Sequence, residues 1–184
     1  MRVISGLRKG HRLNTPKGSD TRPTEDKIKE SLFNILGHIQ IDSVVLDLFG
    51  GSGSIGIEFL SRGAKECYFV DSSTKSISTI KENLIHTKLM ESATVIKSDA
   101  IKAIKHLNNK KLEFDYIYLD PPYRHSDLLF GVLSTLKEYP IFSDNVLLII
   151  EHESELILED NIFDFNKVDE RRYGSKRITF LGRD

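Results

Sequence analysis

The sequence is poor in cysteine, and this excludes several kinds of site. Among 184 residues there is one cysteine, Cys67, so no internal disulfide can form and no zinc site can be built from several thiolates. Cys67 lies among apolar residues, which predicts a buried side chain and not a reactive thiol. The six histidines show no spacing typical of metal ligands, so we expect no metal.

Long apolar runs are absent as well. The longest, from Val146 to Ile150, is far too short to cross a bilayer. The first residues, from Met1 to Gly6, contain no apolar segment typical of a secretory signal. We therefore expect a cytoplasmic protein that makes no contact with membranes.

Neither sign of charge dominates the composition. The chain has 26 basic and 27 acidic residues, which gives a net charge of −1. Basic residues nevertheless collect towards both ends of the chain. The first group is Arg2, Arg8, Lys9, Arg12, Lys17 and Arg22, and the second is Arg171, Arg172, Lys176, Arg177 and Arg183. They predict either a basic face for nucleic acid or two solvated ends, and charge alone does not decide between them.

The length predicts a single domain over residues 1–184. Residues 1–23 form a basic extension with a small β-hairpin pattern around Gly6 to Gly10 and then a turn-rich stretch. Residues 24–184 form the core, which begins with a helix that Thr24 can cap and continues with alternating strand and helix patterns. This order predicts an α/β fold with a mostly parallel sheet, closed by a C-terminal antiparallel hairpin around Tyr173 to Ser175.

A glycine-rich loop follows the first buried strand pattern, Val44 to Leu48. Gly51, Gly53 and Gly56 have the spacing of a dinucleotide-binding loop, and a predicted helix follows them directly. Such a loop lets the backbone approach a nucleotide-like cofactor, although a glycine-rich turn can also serve only to pack a helix on a sheet. The loop residues that we expect to contact a cofactor are Phe49, Gly50, Gly51, Ser52 and Gly53.

Acidic residues end three successive predicted strands, and we expect all three at one crevice. Asp47 can anchor the cationic aminocarboxypropyl end of S-adenosylmethionine. Asp71, followed by Ser72, can accept hydrogen bonds from ribose hydroxyls, and Asp99, followed by Ala100, can accept one from the adenine amine. The position of Asp47, and the absence of chain length for a second substrate domain, favour S-adenosylmethionine over NAD.

The most specific motif is Asp120-Pro121-Pro122-Tyr123, directly after the fourth predicted strand. Two adjacent prolines predict a rigid, extended turn that holds the Asp120 side chain and the Pro121 carbonyl as two acceptors for one –NH2 group. Tyr123 offers a flat face on which an extruded base can stack. Such a turn can be purely structural, but its place after the fourth strand of this pattern favours a catalytic role.

This arrangement suits methylation of an amine attached to a base. The lone pair of that amine is delocalised into the ring, so two acceptors on its hydrogens and alignment with the sulfonium methyl would make it more reactive. Carbon methylation of pyrimidines needs a reactive cysteine, which this chain does not offer. The basic extension is predicted to hold nucleic-acid phosphates through Arg8, Lys9 and Arg12, and those of RNA if the family resemblance described next applies. Arg22 either contacts the same nucleic acid or braces the cofactor pocket.

Motifs spread along nearly the whole chain resemble those of one known family. They are Arg2-Val-Ile-Ser-Gly6, Thr21-Arg-Pro-Thr24, Glu30-Ser-Leu-Phe-Asn34, Leu46-Asp-Leu-Phe49, Ser61-Arg-Gly-Ala64, Asp120-Pro-Pro-Tyr123 and Tyr173-Gly174. The set resembles the RsmD family, bacterial methyltransferases of guanine N2 in small-subunit (16S) rRNA. Two positions differ from the family pattern: Gly50 stands where alanine is common, and Asp71 where glutamate is frequent.

The resemblance implies the Rossmann-like fold of S-adenosylmethionine-dependent methyltransferases. It also implies S-adenosylmethionine as donor and one guanine of 16S rRNA as target, in an assembled or partly assembled ribosomal subunit. The residues by themselves leave alternatives open: methylation of adenine N6 in DNA, methylation of a glutamine amide, or a non-catalytic RNA-binding module. Most enzymes of the first two kinds carry an added recognition domain. The intact glycine loop and the motif from Asp120 to Tyr123 argue against the third.

Overall fold

The computed structural model describes residues 1–16, 23–122 and 126–183. The chain consists of two compact units, Met1–Ser98 and Asp99–Asp184. Within the described residues, no helix has both the length and the apolar character needed to cross a membrane.

The first unit is built on parallel strands in the order β3-β2-β1. Its helices are α1 (Pro23–Leu36), α2 (Ser54–Ser61) and α3 (Thr74–His86), and its strands are β1 (Val44–Asp47), β2 (Glu66–Asp71) and β3 (Ala93–Lys97). In the register of the strands, Asp47 pairs with Phe69, so β1 and β2 end close to each other. The glycine loop, residues 48–53, starts where β1 ends and leads into α2.

The second unit has a parallel strand pair followed by antiparallel strands, in the order β4-β5-β8-β7-β6. Its helices are α4 (Ala100–Asn109) and α5 (Ser126–Glu138), and its strands are β4 (Phe114–Leu119), β5 (Phe142–Glu153), β6 (Asn161–Ile162), β7 (Phe165–Tyr173) and β8 (Lys176–Gly182). The predicted C-terminal hairpin is confirmed, because Tyr173 pairs with Lys176 across the two-residue turn Gly174-Ser175.

The helices and strands form where the apolar pattern predicts them. In α4 the buried residues are Ala100, Ala103, Ile104 and Leu107, a spacing that places them on one helical face. Predicted and observed ends differ by at most four residues. At the start of α1 the prediction was wrong: the helix begins at Pro23, so Thr24 lies inside its first turn and does not precede it. Proline favours this position because its fixed φ suits a helix and its missing N–H is not needed there.

The predicted N-terminal hairpin is reduced to a single antiparallel bridge between Arg2 and Arg12. The N–H of Val3 donates to the carbonyl of His11 at 2.9 Å, and the N–H of Gly10 donates to the carbonyl of Val3 at 2.9 Å. Between them lies a short 3-10 helix, Gly6–Arg8. We call residues 1–16 the N-terminal arm.

A buried carboxylate fixes this arm to the first unit. Glu58, on α2, is fully buried, and its two oxygens accept hydrogen bonds from the backbone N–H groups of Ile4 at 2.8 Å and Ser5 at 2.9 Å. Arg62 donates to the same carboxylate at 2.8 Å, and the ammonium of Lys29 lies 3.6 Å from it. Burial lowers the pKa of Lys29, although the charge of Glu58 opposes that shift. The arm is therefore an integral part of the first unit.

Replacing Glu58 with alanine is expected to destabilise the protein strongly. Lys29 and two backbone N–H groups would then stay buried without their acceptor, and breaking a buried ion pair from one side costs about 3–5 kcal/mol. Urea denaturation followed by circular dichroism measures the change. The matched control is Asp164→Ala, which removes an exposed pair with Lys137 at 3.5 Å and is expected to cost about 0–1 kcal/mol. Equal losses in the two variants would contradict the assigned role of Glu58.

Candidate functional site

The glycine loop forms the predicted turn, and the structure shows that its backbone is left-handed at Gly53. Gly53 has φ of +77° and lies at the N-terminus of α2, and its N–H donates to the carbonyl of Gly50 at 2.6 Å. The N–H of Gly50 in turn donates to the carbonyl of Val70 on β2 at 2.8 Å. The loop is thus held by its own backbone and by the neighbouring strand.

Gly56 allows α2 to pack closely on β2. A Cβ at this position would lie 2.3 Å from the Phe69 ring and 2.6 Å from Cys67 Sγ, so only glycine lets α2 pack this closely on β2. The third glycine of the motif is therefore explained without a ligand. At Gly50 a Cβ would lie 2.9 Å from the end of the Ile80 side chain, which can move. The alanine common in the family at that position would need only a small shift of Ile80.

Asp71, at the end of β2, supports the glycine loop directly. Its Oδ2 accepts a hydrogen bond from the N–H of Gly51 at 2.9 Å, and its Oδ1 accepts one from the N–H of Ser73 at 2.7 Å. The carboxylate is partly exposed, and Ser72 beside it is exposed. The structure thus gives Asp71 a role in holding the loop, in addition to the ribose contact that the sequence predicts.

Asp47, at the end of β1, is the buried acid of the site. It is 2% exposed, and its Oδ2 accepts a hydrogen bond from the N–H of Gly56 at 3.2 Å. Burial raises the pKa of Asp47 to about 7, Gly56 opposes the shift, and the nearby charge of Asp71 adds to it. A buried carboxylate with a raised pKa is strongly stabilised in its ionised form by a cationic partner. The sequence predicts such a partner for Asp47, the cationic aminocarboxypropyl end of S-adenosylmethionine.

Asp99 begins the second unit as the N-cap of α4. Its Oδ1 accepts a hydrogen bond from the N–H of Lys102 at 2.9 Å, and its Oδ2 pairs with the Lys102 ammonium at 3.0 Å. The hydrogen bond from the Lys102 N–H is the main reason that the pKa of Asp99 is lowered. Asp99 is exposed and Ala100 is buried. The predicted contact of Asp99 with adenine stays a prediction.

The predicted catalytic turn follows β4. Asp120 and Pro121 are partly exposed and Pro122 is exposed, while Tyr123 lies outside the described residues. Just before the turn, the hydroxyl of Tyr118 donates to Glu151 Oε2 at 2.7 Å, and the Lys176 ammonium forms an ion pair with the same carboxylate. This buried network fixes the end of β4 against β5 and β8.

The basic residues predicted to contact RNA differ in their surroundings. Lys9 and Arg12 are exposed, and no ion pair involves either of them in the part of the chain that the structure describes. Arg8 is partly buried, and its guanidinium donates to the carbonyl of Lys88 at 3.3 Å. Arg22 lies outside the described residues.

Three polar residues that the sequence analysis did not single out are structurally central: Glu58, Asn83 and Glu151. All are buried, at 0%, 1% and 6% exposure. Glu58 and Arg62 have the i, i+4 spacing of an ordinary exposed helix pair, so their sequence pattern points away from burial. A local pattern offers no signal for Asn83, whose partners are 31 and 69 residues distant along the chain.

Comparison with known proteins assigns the chain to one family. A family model described as "Conserved hypothetical protein 95" matches residues 1–182. Ribosomal RNA small subunit methyltransferase D of Haemophilus influenzae is 37% identical over 164 residues, which cover 88% of this chain and 84% of the relative. The candidate rRNA methyltransferase YlbH of Bacillus subtilis is 40% identical, and the match covers 95% of this chain and 94% of the relative. This chain belongs to the RsmD family.

Solved structures support the fold. The yhhF protein of Escherichia coli, solved as a candidate methyltransferase, has a TM-score of 0.84 at 28% identity and covers 100% of this chain and 98% of its own. SMU.776, solved in complex with S-adenosylhomocysteine, has a TM-score of 0.72 at 15% identity, covering 88% of this chain and 50% of its own, and shows the fold alone. The chain has the Rossmann-like fold of S-adenosylmethionine-dependent methyltransferases, as predicted.

We expect cofactor binding to depend on pH through Asp47. A bound ammonium favours the ionised carboxylate, so affinity for S-adenosylhomocysteine should fall as the pH drops below about 7, by about tenfold per unit. Calorimetric titration between about pH 5 and pH 8 measures this. In Asp47→Asn, affinity should be low and independent of pH. A wild-type affinity that does not change with pH would show that Asp47 does not hold the cofactor amine.

The same substitution should stabilise the protein without cofactor. Because the folded-state pKa of Asp47 is raised from 3.8 to about 7, its neutral form favours folding at low pH, and this benefit is lost as the pH rises through 7. The melting temperature of Asp47→Asn should therefore exceed that of the wild type, and the difference should grow from about pH 5 to pH 7 and level off above pH 7. A constant difference would contradict the raised pKa.

Proposed function

We propose that this protein transfers a methyl group from S-adenosylmethionine to the exocyclic N2 amine of a specific guanine in 16S rRNA. The observation that carries the proposal is the Asp120-Pro121-Pro122 turn directly after β4, in a chain that belongs to the RsmD family. Relatives named ribosomal RNA small subunit methyltransferase D match most of its length. We further propose that it acts in the cytoplasm, on a partly or fully assembled small subunit.

The proposed cofactor contacts come from the glycine loop and from strand ends. The loop backbone from Phe49 to Gly53 would hold S-adenosylmethionine, and Asp71 with Ser72 would contact the ribose. Asp47 fits the cationic amine, because a buried carboxylate with its pKa raised to about 7 is stabilised by a positive partner. Asp99 with Ala100 would contact the adenine.

When bound, S-adenosylmethionine supplies an electrophilic methyl group on a sulfonium. The chain has to hold the guanine amine and make its lone pair available. In the proposed arrangement Asp120 and the Pro121 carbonyl each accept a hydrogen bond from N2, and the proline pair keeps both acceptors in place. The network of Tyr118, Glu151 and Lys176 stabilises the strand end that carries them. Tyr123 is proposed to stack on the guanine.

The charges that remain unpaired favour the N-terminal arm as the RNA contact. Many of the basic residues of the C-terminal hairpin pair with acids: Lys176 with Glu151, Arg177 with Glu170, and Arg171 with Asp169. The exposed Lys9 and Arg12 of the arm make no such pair among the described residues. We therefore propose that Lys9 and Arg12 contact RNA phosphates, with Arg8 and Arg22 as further candidates.

Asp120→Ala is expected to lose methyl transfer and keep the cofactor. Removing one positioned hydrogen-bonding group lowers kcat by about 100-fold or more. Affinity for S-adenosylhomocysteine, measured by calorimetry, should stay within about twofold of the wild type, because the proposed cofactor contacts lie elsewhere. The matched variant is Asp71→Asn, which should weaken cofactor binding first. Loss of cofactor binding in Asp120→Ala would show that its role is misassigned.

Replacing Lys9 and Arg12 with alanine should raise KM for the ribosomal substrate and leave cofactor affinity as it was. Each phosphate contact contributes about 0.7–0.9 to the slope of log affinity against log salt concentration, so the slope should fall by about 1–2. The control is the pair Arg171→Ala and Arg172→Ala on the C-terminal hairpin, which should leave the slope unchanged. If only the control variant flattens the slope, the RNA contact lies on the hairpin.

The proposed target is tested in cells. Mass mapping of 16S rRNA from a strain that lacks this protein should show one N2-methylguanine missing, and the purified protein with S-adenosylmethionine should restore it on small subunits from that strain. Unchanged methylation would reject the proposal. Restoration on protein-free rRNA at the same rate would reject the part of it that requires an assembled subunit.

A further inference from the structure

The side-chain amide of Asn83, on α3, joins two backbone segments that are far apart in sequence. Its Oδ1 accepts a hydrogen bond from the N–H of Asn14 at 2.8 Å. Its Nδ2 donates to the carbonyl of Asn14 at 2.9 Å and to the carbonyl of Ser52 at 2.8 Å. Asn14 belongs to the N-terminal arm and Ser52 to the glycine loop. Both amide hydrogens of Asn83 are therefore used, one for each segment.

This chemistry is specific to asparagine at this position. An amide carries an acceptor and two donors in one plane, so it can pair with the N–H and C=O of Asn14 and still donate to Ser52. Aspartate has the same shape but no donors, and glutamine has the same groups on a longer side chain. Because Asn83 is 1% exposed, water cannot easily replace these bonds.

The arm is attached to the first unit at a second place that does not involve the glycine loop. The Ser61 hydroxyl donates to the carbonyl of Ser5 at 2.6 Å and accepts from the N–H of Arg8 at 2.9 Å. Glu58 binds the N–H groups of Ile4 and Ser5 nearby. Among the described contacts of the arm, those through Asn83 reach the loop proposed to hold the cofactor.

We propose that Asn83 is a positioning residue that couples the arm to the glycine loop, so that RNA and cofactor strengthen each other's binding. The inference rests on the proposed function, in which the loop holds S-adenosylmethionine and the arm holds RNA. A cofactor on the loop restrains Ser52 and, through Asn83, the backbone at Asn14, two residues from Arg12, so less ordering of this end of the arm remains when RNA binds. The coupling is reciprocal: by thermodynamic linkage, the factor by which the cofactor raises the affinity for RNA equals the factor by which RNA raises the affinity for the cofactor.

The test is the affinity for S-adenosylhomocysteine with and without substrate. Equilibrium dialysis of the radiolabelled compound is performed with the full chain, alone and with saturating small ribosomal subunits from a strain that lacks the protein. In the wild type, the subunits should tighten binding by about fivefold or more, within the usual range of coupling between sites. In Asn83→Ala this ratio should fall to about one.

Controls separate coupling from a loss of fold. Asn14→Ala changes an exposed side chain and leaves both backbone bonds to Asn83, so it should keep the wild-type ratio. Ser61→Ala weakens the other attachment of the arm and should also keep it. Asn83→Asp retains the acceptor and loses both donors, so it serves as a second variant, expected to lose coupling, if Asn83→Ala does not fold.

The possible results are distinct. A wild-type ratio near one, an unchanged ratio in the folded Asn83 variants, or equal loss of coupling in Ser61→Ala would each overturn the inference. Two binding reactions of the wild type are measured separately: S-adenosylhomocysteine by dialysis without subunits, and small subunits by direct binding. Absence of either binding reaction would reject the proposed function itself, which is a different outcome from binding without coupling.

Discussion

The structure of the first unit depends on one buried charge that is fully compensated. The carboxylate of Glu58 holds the backbone of the arm, and Lys29 and Arg62 supply the positive charge that makes its burial possible. Lys29 also donates to the carbonyl of Arg2 at 2.7 Å, so the same cluster binds the arm from two sides. Since Glu58 lies on the helix that follows the glycine loop, a segment that could have been a loose extension is built into the unit that carries this loop.

The glycine loop is required by the fold, whereas the buried acid that precedes it, Asp47, destabilises the fold. Gly56 and the bond between Gly51 and Asp71 are needed for packing and for the turn. Asp47 does not add to the stability of the fold, because a buried carboxylate with a pKa near 7 weakens the folded protein at neutral pH. Buried acids with raised pKa values are typical of sites that bind a charged ligand, in agreement with the cofactor contact proposed for Asp47.

The sequence allowed much of the fold and part of the site to be predicted. Strand ends at Asp47 and Asp71 followed from apolar runs, and the hairpin around Gly174 followed from its turn residues. The start of α1 was misplaced, because Pro23 and Thr24 both favour a helix start. Glu58, Asn83 and Glu151 were not found, because the burial of a polar side chain depends on partners distant along the chain. Their patterns in the sequence look like those of ordinary surface residues.

The attachment of the arm also orders the events of folding. Residues 1–16 leave the ribosome before their partners Glu58, Ser61 and Asn83, which are made 53 to 69 residues later than the groups they bind. These contacts of the arm can therefore form only after α2 and α3 have been synthesised. Contacts of such long sequence separation form late and slowly. In a nascent chain of this protein, complete docking of the arm would therefore require residues as far as Asn83 to have emerged.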